Sequence, residues 1–449
     1  MSTANPTTPA AVDLRTVQRR TLRVLVISQI LSGAGLAAGI TVGALLAQQM
    51  LGSSDLSGLP SALFTGGSAA AALIVGSVSN RWGRRPGLAG GYLVGAIGGA
   101  LVVLAAAVDS PALLFPALVI YGSGIATSLQ ARYAGADLAA TDRRGTAIST
   151  VLVATTLGAV GGPLLVSTSG HLARSLGLST LSGPFLVATI AYGLAAAVLN
   201  TWLRPDPLLT ARSAVPAASP ALDRPAADDS GPNLQVNASA HDDDEPAHVH
   251  DEATQAADRQ PAGDAAGITL GAAAMVLSQL IMVAIMTMTP VDMQQHGLGL
   301  GATGFVIAVH IGMMYLPSPV TGRLVDRYGP RTVILAGTTS LLAAGLLAGT
   351  ASGHSTTLLA IALSLLGLGW NLGLLGGTTL VTNATELNHR ARIQGRVDLA
   401  VALSGSTGGL ASGMIMSTTS YSALTFGGGL LALVMLPAAL RRNDVKHTG

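Results

Sequence analysis

Twelve stretches of apolar residues constrain this 449-residue chain more than any other feature of its sequence. A helix of about 20 apolar residues spans the ~30 Å hydrocarbon core of a bilayer. Only 10% of the residues are charged, whereas about a quarter are charged in an ordinary soluble domain. The stretches lie near 22–47, 61–79, 87–108, 112–133, 146–167, 183–202, 268–289, 303–322, 332–350, 356–381, 397–416 and 421–440. The sequence therefore predicts an all-α membrane protein with 12 transmembrane helices.

A polar segment divides these stretches into two groups of six. Residues 204–267 are rich in Ala, Pro and Asp and carry 12 Asp and Glu against four Arg. A segment of such low hydrophobicity cannot bury enough apolar surface to offset the entropy lost on ordering. We expect five parts: a cytoplasmic N-terminal segment at 1–21, a six-helix bundle at 22–203, a disordered acidic cytoplasmic linker at 204–267, a second six-helix bundle at 268–440 and a cytoplasmic tail at 441–449.

The distribution of basic residues predicts the orientation of the helices. With the N-terminus inside, only one of the 24 Lys and Arg residues, Arg174, falls in a predicted outer loop. Because Lys and Arg are retained on the cytoplasmic side, we expect a multi-pass protein of the inner or plasma membrane with both termini cytoplasmic. The basic charge outside the linker suits an anionic membrane surface and gives no indication of nucleic-acid binding.

A short charged motif occurs twice, after the second stretch of each half. Each copy has Gly, then Asx-Arg four residues later, then Gly two residues beyond that Arg, and Arg two residues further on. The first copy supplies Gly76, Asn80, Arg81, Gly83 and Arg85, and the second supplies Gly322, Asp326, Arg327, Gly329 and Arg331. Two copies at corresponding places indicate an internal duplication.

Six spans, a linker and six more spans, with this motif after spans 2 and 8, resemble the major facilitator superfamily, whose motif is G-x-x-x-D-R-x-G-R-[RK]. The resemblance implies two pseudo-symmetric six-helix bundles that rock about a central site and open it alternately to each side. It also implies that the loop Asp and Arg stabilise one conformation through ion pairs. Asn80 replaces the family's Asp, so we expect a weaker ionic contact in the first half. The alternative is that Arg81, Arg84 and Arg85 serve only topology and lipid headgroups.

Polar side chains within the spans are candidates for substrate binding or coupling, because they are costly in lipid. Arg132 either pairs locally with Asp137 or lines the central cavity. Asp398 is either a coupling carboxylate or an acid at a helix start, stabilised by the helix dipole. The full set is His310, Gln29, Gln279, Arg132, Asp398, Trp370 and Asn371. His310 is the first choice, because it lies mid-span and imidazole titrates near neutral pH.

Spans 7 and 8 contain a possible set of copper ligands. Met282 and Met286 are four residues apart, as are His310 and Met314, so each pair shares a helix face. Thioether sulfur and imidazole suit copper, and the chain has no cysteine to compete. The strings M-x-x-x-M and H-x-x-x-M resemble those of the bacterial CcoA-like copper importers, a branch of the superfamily. The alternatives are that Met fills gaps in an apolar core and that His310 couples to protons or bonds a neighbouring helix.

The resemblance implies a transporter. We expect it to be secondary active, because no ATP-binding motif is readable, and not an enzyme, because no nucleophile–base arrangement is readable. Uptake of copper ions is the first hypothesis for the substrate. The alternative is a proton-coupled transporter or exporter of a small organic molecule, drug-like or a metabolite. We expect no cofactor, a monomer in the lipid bilayer, and a small-molecule or metal-ion substrate, with a coupling proton left open.

Overall fold

The computed structural model describes residues 14–51, 59–164, 166–214, 264–298, 300–351 and 355–437. Within these ranges the chain is helical and contains no β-strand. Residues 215–263, which form most of the predicted linker, lie outside the described residues, as do 1–13 and 438–449.

The first half contains eight helices. They are α1 (Leu14–Leu51), α2 (Leu59–Trp82), α3 (Arg84–Ala107), α4 (Pro111–Ala136), α5 (Arg144–Leu164), α6 (Val166–Ser175), α7 (Gly183–Trp202) and α8 (Pro207–Ala214). Short 3₁₀ turns at Thr141–Arg143 and Thr180–Ser182 precede α5 and α7. All six predicted spans of this half coincide with helices, the fifth with α5 and α6 together. The first helix begins at Leu14, earlier than the predicted start at residue 22.

Helix α8 lies inside the segment predicted to be a disordered linker. Its start is stabilised by Asp206, whose carboxylate accepts backbone N–H groups of Leu208 and Leu209 at 3.0 and 3.2 Å. Pro207 occupies the first helical position, where its missing N–H costs nothing. Leu208 is fully buried. Local capping and this buried side chain stabilise α8.

The second half contains seven helices. They are α9 (Ala265–Gln295), α10 (Leu300–Tyr315), α11 (Ser318–Tyr328), α12 (Pro330–Ala351), α13 (Thr356–Ala384), α14 (Arg390–Thr418) and α15 (Tyr421–Ala432). A 3₁₀ turn, Leu433–Met435, follows α15. The predicted eighth span is divided into α10 and α11 at Pro317, which has no N–H to continue the helix. Nine helical segments of the described residues are long and apolar enough to cross a membrane, and the other three predicted spans correspond to α1, α5 with α6, and α15.

The two halves have separate cores that meet at their interface. In the first half, Tyr192 stacks on Tyr92 and lies tilted against Tyr121, with ring centroids 5.7 and 5.6 Å apart. Gly35 and Gly124 leave the space that the Tyr192 ring fills, because a Cβ at either position would overlap it. The core of the second half extends across the interface to Ala136, Ile148 and Leu152 of the first half.

The halves contact each other through two related pairs of helices, α2 with α14 and α5 with α11. A Cβ on Gly76 of α2 would lie 2.8 Å from the Ala391 carbonyl oxygen of α14. A Cβ on Gly145 of α5 would lie 2.6 Å from the Gly322 carbonyl oxygen of α11. Both contacts occur where the loop motifs lie. We call this end of the bundles, defined by residues 76–85 and 322–331, the motif end.

Candidate functional site

The centre of the candidate site is an ion pair between the two halves. Arg132 of α4 and Asp398 of α14 approach to 2.6 Å between Nη2 and Oδ1, with side chains only 1% and 4% exposed. The Tyr133 hydroxyl donates to the same carboxylate oxygen at 3.2 Å. Arg132 also donates from Nε to the Thr378 hydroxyl at 3.1 Å and from Nη1 to the Leu129 carbonyl. The other carboxylate oxygen of Asp398 is buried and has no hydrogen-bond partner among the described residues.

Neither Arg132 nor Asp398 has the local role that the sequence analysis gave as an alternative for it. Arg132 does not pair with Asp137, five residues later in the chain. Arg132 pairs with Asp398, and Asp137 pairs with Arg84. Asp398 does not lie at a helix start: α14 begins at Arg390, and its first turn contains no acidic residue. The helix dipole acts within about one turn, so it does not account for a carboxylate this far along α14.

A second buried network lies beside the first. Arg84, at the start of α3, donates from Nε to Asp137 Oδ2 at 2.7 Å and from Nη2 to Oδ1 at 3.3 Å. Its Nη2 also donates to Gln394 Oε1 of α14 at 2.5 Å, so the cation joins the two halves. Arg390 lies 3.9 Å from Asp137. We use the term gate for the five residues Arg84, Arg132, Asp137, Gln394 and Asp398.

The second copy of the loop motif binds a helix start. Asp326 accepts the backbone N–H groups of Gly145 and Thr146 at 2.7 and 2.8 Å, and the Thr146 hydroxyl at 2.5 Å. These groups form the first turn of α5, where the helix dipole favours a negative charge. A carboxylate of the second half therefore caps a helix of the first half.

The first copy makes a different contact. Asn80 accepts from Arg212 of α8, through its backbone oxygen at 2.8 Å and its side-chain oxygen at 3.2 Å. Arg212 also donates to the Leu387 carbonyl at 3.1 and 3.0 Å and to the Asn388 carbonyl at 3.1 Å, between α13 and α14. The neutral Asn80 is thus joined to the second half by a cation from α8, not by a charge of its own.

The remaining motif residues shape the turns and line their surface. Gly83 and Gly329 have φ angles of 98° and 85°, which only glycine adopts without strain. The Arg81 and Arg327 guanidiniums lie over the neighbouring rings of Trp82 and Tyr328 at 5.1 and 5.3 Å. The backbone N–H of Arg85 donates to Asp206 at 2.7 Å. Arg331 follows Pro330 in the first turn of α12.

The amides at matching places in spans 1 and 7 have different surroundings. Gln29 is buried within the first bundle, where its Nε2 donates to Ser128 and Thr155 and its Oε1 accepts from Tyr92 at 2.6 Å. Gln279 is half-buried and its Oε1 accepts the Trp370 indole N–H at 2.7 Å. The structure thus brings Gln279 and Trp370 together but holds Gln29 inside its own bundle.

Asn371 supports the break in the eighth span. Its Nδ2 donates to the Met314 carbonyl at 2.7 Å, at the end of α10, and to the Ser318 hydroxyl at 2.8 Å, at the start of α11. The Met314 carbonyl lies in the turn that Pro317 interrupts, so the amide provides a donor where the helix does not continue. Its own Oδ1 is buried and without a hydrogen-bond partner among the described residues.

His310 is fully buried, and its Nδ1 lies 2.8 Å from the Leu363 carbonyl oxygen. A neutral ring donates Nδ1–H to that oxygen and keeps a lone pair on Nε2. Nε2 has no hydrogen-bond partner among the described residues.

The residues predicted to bind copper lie on two helices that have little contact with each other. Met282 and Met286 belong to α9, which packs mainly on α13 and α14, whereas His310 and Met314 belong to α10, which packs mainly on α13. Met282 and Met314 are buried among apolar residues of the second core, and Met286 packs against that core. In the part of the chain that the structure describes, no three His, Asp or Glu side chains are grouped closely enough to hold a metal ion.

Sequence comparison identifies the family. The model of the Major Facilitator Superfamily matches residues 21–261 and 267–449. The chain belongs to this superfamily. Two uncharacterized MFS-type transporters of Bacillus subtilis (strain 168), YdeG and YddS, are 50% and 48% identical to it over 95% and 94% of this chain, and over 92% and 90% of their own lengths. The riboflavin transporter RfnT of Brucella anthropi is 26% identical over 95% of this chain and 96% of its own.

Solved structures show the same fold. The human organic anion transporter MFSD10 (TETRAN) has a TM-score of 0.71 at 16% identity, covering 94% of this chain and 99% of its own. The proton:xylose symporter XylE has a TM-score of 0.67 at 15% identity, covering 95% of each chain. The predicted two-bundle, all-α membrane fold is confirmed, and the chain is a multi-pass membrane transporter. The resemblance to copper importers gains no support from these relatives.

Proposed function

We propose that this chain is a secondary active transporter of a small organic molecule that works by alternating access. The observation that carries the proposal is the buried Arg132–Asp398 pair, which joins the two halves near the motif end. The inter-half contacts of Arg84, Asp326 and Arg212 lie at the same end. The described conformation is therefore closed at the motif end. Opening that end requires these contacts to break, which is the change that alternating access demands.

We assign Asp398 as the coupling carboxylate. Its unpartnered oxygen can accept a proton without breaking an existing hydrogen bond. Protonation removes the negative charge that faces Arg132 and leaves a buried cation without its counter-ion. Because that arrangement is strongly unfavourable, the conformation in which the pair is separated becomes more populated. Proton binding and gate opening are linked in this way.

The membrane orientation follows from the charges at the motif end. Exposed arginines such as Arg81, Arg143 and Arg323 lie there. Lys and Arg are retained on the cytoplasmic side of a membrane. We therefore place the motif end and both termini in the cytoplasm, and the protein in the inner or plasma membrane. The described structure is then closed on its cytoplasmic side, and we propose that the protein acts as a monomer.

An organic substrate is favoured over copper. The half-buried Gln279 and the Trp370 indole form a hydrogen-bonded pair, and Tyr315 lies edge-on to Trp370 at 5.6 Å between ring centroids. Amide and aromatic groups suit a polar conjugated solute. One relative is a riboflavin transporter, so riboflavin is the first compound to test. Copper uptake stays a prediction, and none of the named relatives is described as a copper transporter.

Transport by the purified chain in proteoliposomes tests the proposal. Labelled riboflavin and a panel of organic anions and sugars are supplied with and without an imposed pH gradient, and copper is measured in parallel. We expect an organic solute to move in response to the gradient, with accumulation indicating symport and depletion indicating antiport. Asp398→Asn abolishes this response, whereas Asp142→Asn, at an exposed carboxylate of the same end, keeps it. Copper accumulation without movement of any organic solute contradicts the proposal.

A further inference from the structure

An apolar groove of about 370 Å³ runs along the outside of the first bundle, between α2, α3 and α4. Its lining includes Gly67, Ile74, Val78, Gly90, Val94 and Val119. Ile74 and Val94 are 63% and 43% exposed, so the groove opens towards lipid. None of the gate residues lines it. The groove is therefore separate from the transport site proposed above.

The dimensions of the groove match one lipid leaflet. From Val78 to Gly67, helix α2 rises by about 16 Å at ~1.5 Å per residue. This is about half of the ~30 Å hydrocarbon core. The groove is open at Gly90, where a Cβ would meet no heavy atom within 4 Å. A single acyl chain can lie along it from the motif end to the middle of the bilayer.

The motif end of the groove carries positive charge. Arg81 and Trp82 follow Val78 by three and four residues, so they continue the groove-lining side of α2. Arg81 is exposed and has no carboxylate partner among the described ion pairs. Arg85 directly precedes Pro86, which lines the groove on α3. The nearby carboxylate of Asp206 is already bound to backbone N–H groups.

We propose that this groove binds one anionic phospholipid of the leaflet at the motif end. One acyl chain lies between Ile74 and Gly90, and the phosphate is bound by Arg81 and Arg85. The Trp82 indole, 56% exposed, lies at the level of the headgroup, as amphipathic rings do at membrane interfaces. The arginines attract a net negative headgroup, and the neighbouring Asp206 carboxylate already accepts three backbone N–H groups.

A second copy of the chain is a less favourable occupant. A two-fold axis along the membrane normal, the usual symmetry of a membrane dimer, places identical residues of both copies at the same depth. Two groups of Arg81 and Arg85 would then face each other at one membrane surface. Like charges at such an interface oppose association, whereas an anionic lipid neutralises them.

Native mass spectrometry of the intact detergent-solubilised chain tests the proposal. Phosphatidylglycerol and phosphatidylcholine with identical acyl chains are titrated separately. We expect one phosphatidylglycerol to bind about tenfold more tightly than phosphatidylcholine. Gly90→Leu fills the groove and removes this site for both lipids. Gly193→Leu is the matched control, because a Cβ at Gly193 of α7 also meets no heavy atom within 4 Å but lies outside the groove.

The headgroup contact is tested by a second pair of variants. Arg81→Gln reduces the affinity for phosphatidylglycerol about fivefold, as expected for one basic residue near an anionic lipid, and leaves phosphatidylcholine unchanged. Arg19→Gln, at an exposed arginine of α1, is the control and has no effect. Equal binding of the two lipids by the unmodified chain overturns the proposal, as does equal binding by Gly90→Leu and Gly193→Leu. A dimer that Gly90→Leu dissociates shows a second copy in the groove and also overturns it. Lipid binding is measured without substrate, so the result does not depend on the transport proposal.

Discussion

Replacing Asp398 by Asn should open the motif end of the molecule. The substitution keeps the shape of the side chain but leaves the guanidinium of Arg132 buried without a counter-ion. Removing one member of a buried ion pair costs about 3–5 kcal/mol. The cost here lies near 3 kcal/mol, because Arg132 keeps its hydrogen bonds to Thr378 and Leu129. At ~1.4 kcal/mol per factor of ten, the population with the motif end open rises about 10²-fold.

The absence of cysteine from the chain makes this change measurable. Ser149 is 1% exposed and packs against Gly322 at the contact between α5 and α11. A Ser149→Cys chain reacts with a maleimide only when this contact separates. We expect the labelling rate of the reconstituted protein to rise about 10²-fold when Asp398→Asn is added. Asp142→Asn, on the exposed 3₁₀ turn before α5, provides the control and leaves the rate unchanged.

A double substitution separates loss of the pair from general damage. Arg132→Gln together with Asp398→Asn removes both charges, so no uncompensated ion remains in the interface. Labelling of this double variant should return to within a few-fold of the starting rate. An unchanged rate in the single variant refutes the assignment of the pair as a closing contact. An equally fast rate in the double variant indicates that unfolding, and not the charge, exposes Ser149.

Three further substitutions test other contacts at the motif end with the same labelling assay. Asp326→Asn removes a charge worth ~0.5–1 kcal/mol at the start of α5, so labelling should rise two- to fivefold, and an unchanged rate contradicts the capping role. Arg212→Ala removes the donors to the Leu387 carbonyl. Labelling should rise several-fold, since an ordinary hydrogen bond contributes ~1 kcal/mol. An unchanged rate shows that α8 does not restrain the gate. Gly76→Leu places atoms against the Ala391 carbonyl and should produce a mainly open motif end, whereas slow labelling refutes the close contact of α2 with α14.

Much of the fold could be predicted from the sequence, because its signals are local. The length of each apolar stretch predicts a span, and all twelve coincide with helices. The repeated motif predicted an internal duplication. The contact of α2 with α14 at Gly76 and the contact of α5 with α11 at Gly145 occupy matching places in the two halves. The start of the linker was predicted less well. The average composition of the segment gave no sign of α8, because the helix depends on two individual residues, the capping Asp206 and the buried Leu208.

The partners within the site could not be predicted, because they come from opposite halves of the chain. Arg132 and Asp398 were each selected as costly polar residues in a span, but nothing in local spacing pairs residues 266 positions apart. Gln394 and Arg212 were not selected at all. Arg212 lies in the segment that was predicted to be a disordered linker, and Gln394 is an ordinary amide one turn inside α14. The repeat offered one usable signal, because Asn80 and Asp326 occupy matching positions and both lie at contacts between the two halves.

The central claim is that the motif end and the far end of the molecule open alternately. It is tested most directly by pulsed electron spin resonance in nanodiscs. Because the chain has no cysteine of its own, one pair of spin labels can be attached to cysteines introduced at Arg143 and Arg323 of the motif end. A second pair at Leu176 and Gln295 reports on the far end, and both are measured over a range of pH. The account predicts that lowering the pH lengthens the motif-end distance and shortens the far-end distance, and that Asp398→Asn fixes both distances in the low-pH arrangement. Distances that change together, or that do not respond to Asp398→Asn, would contradict it.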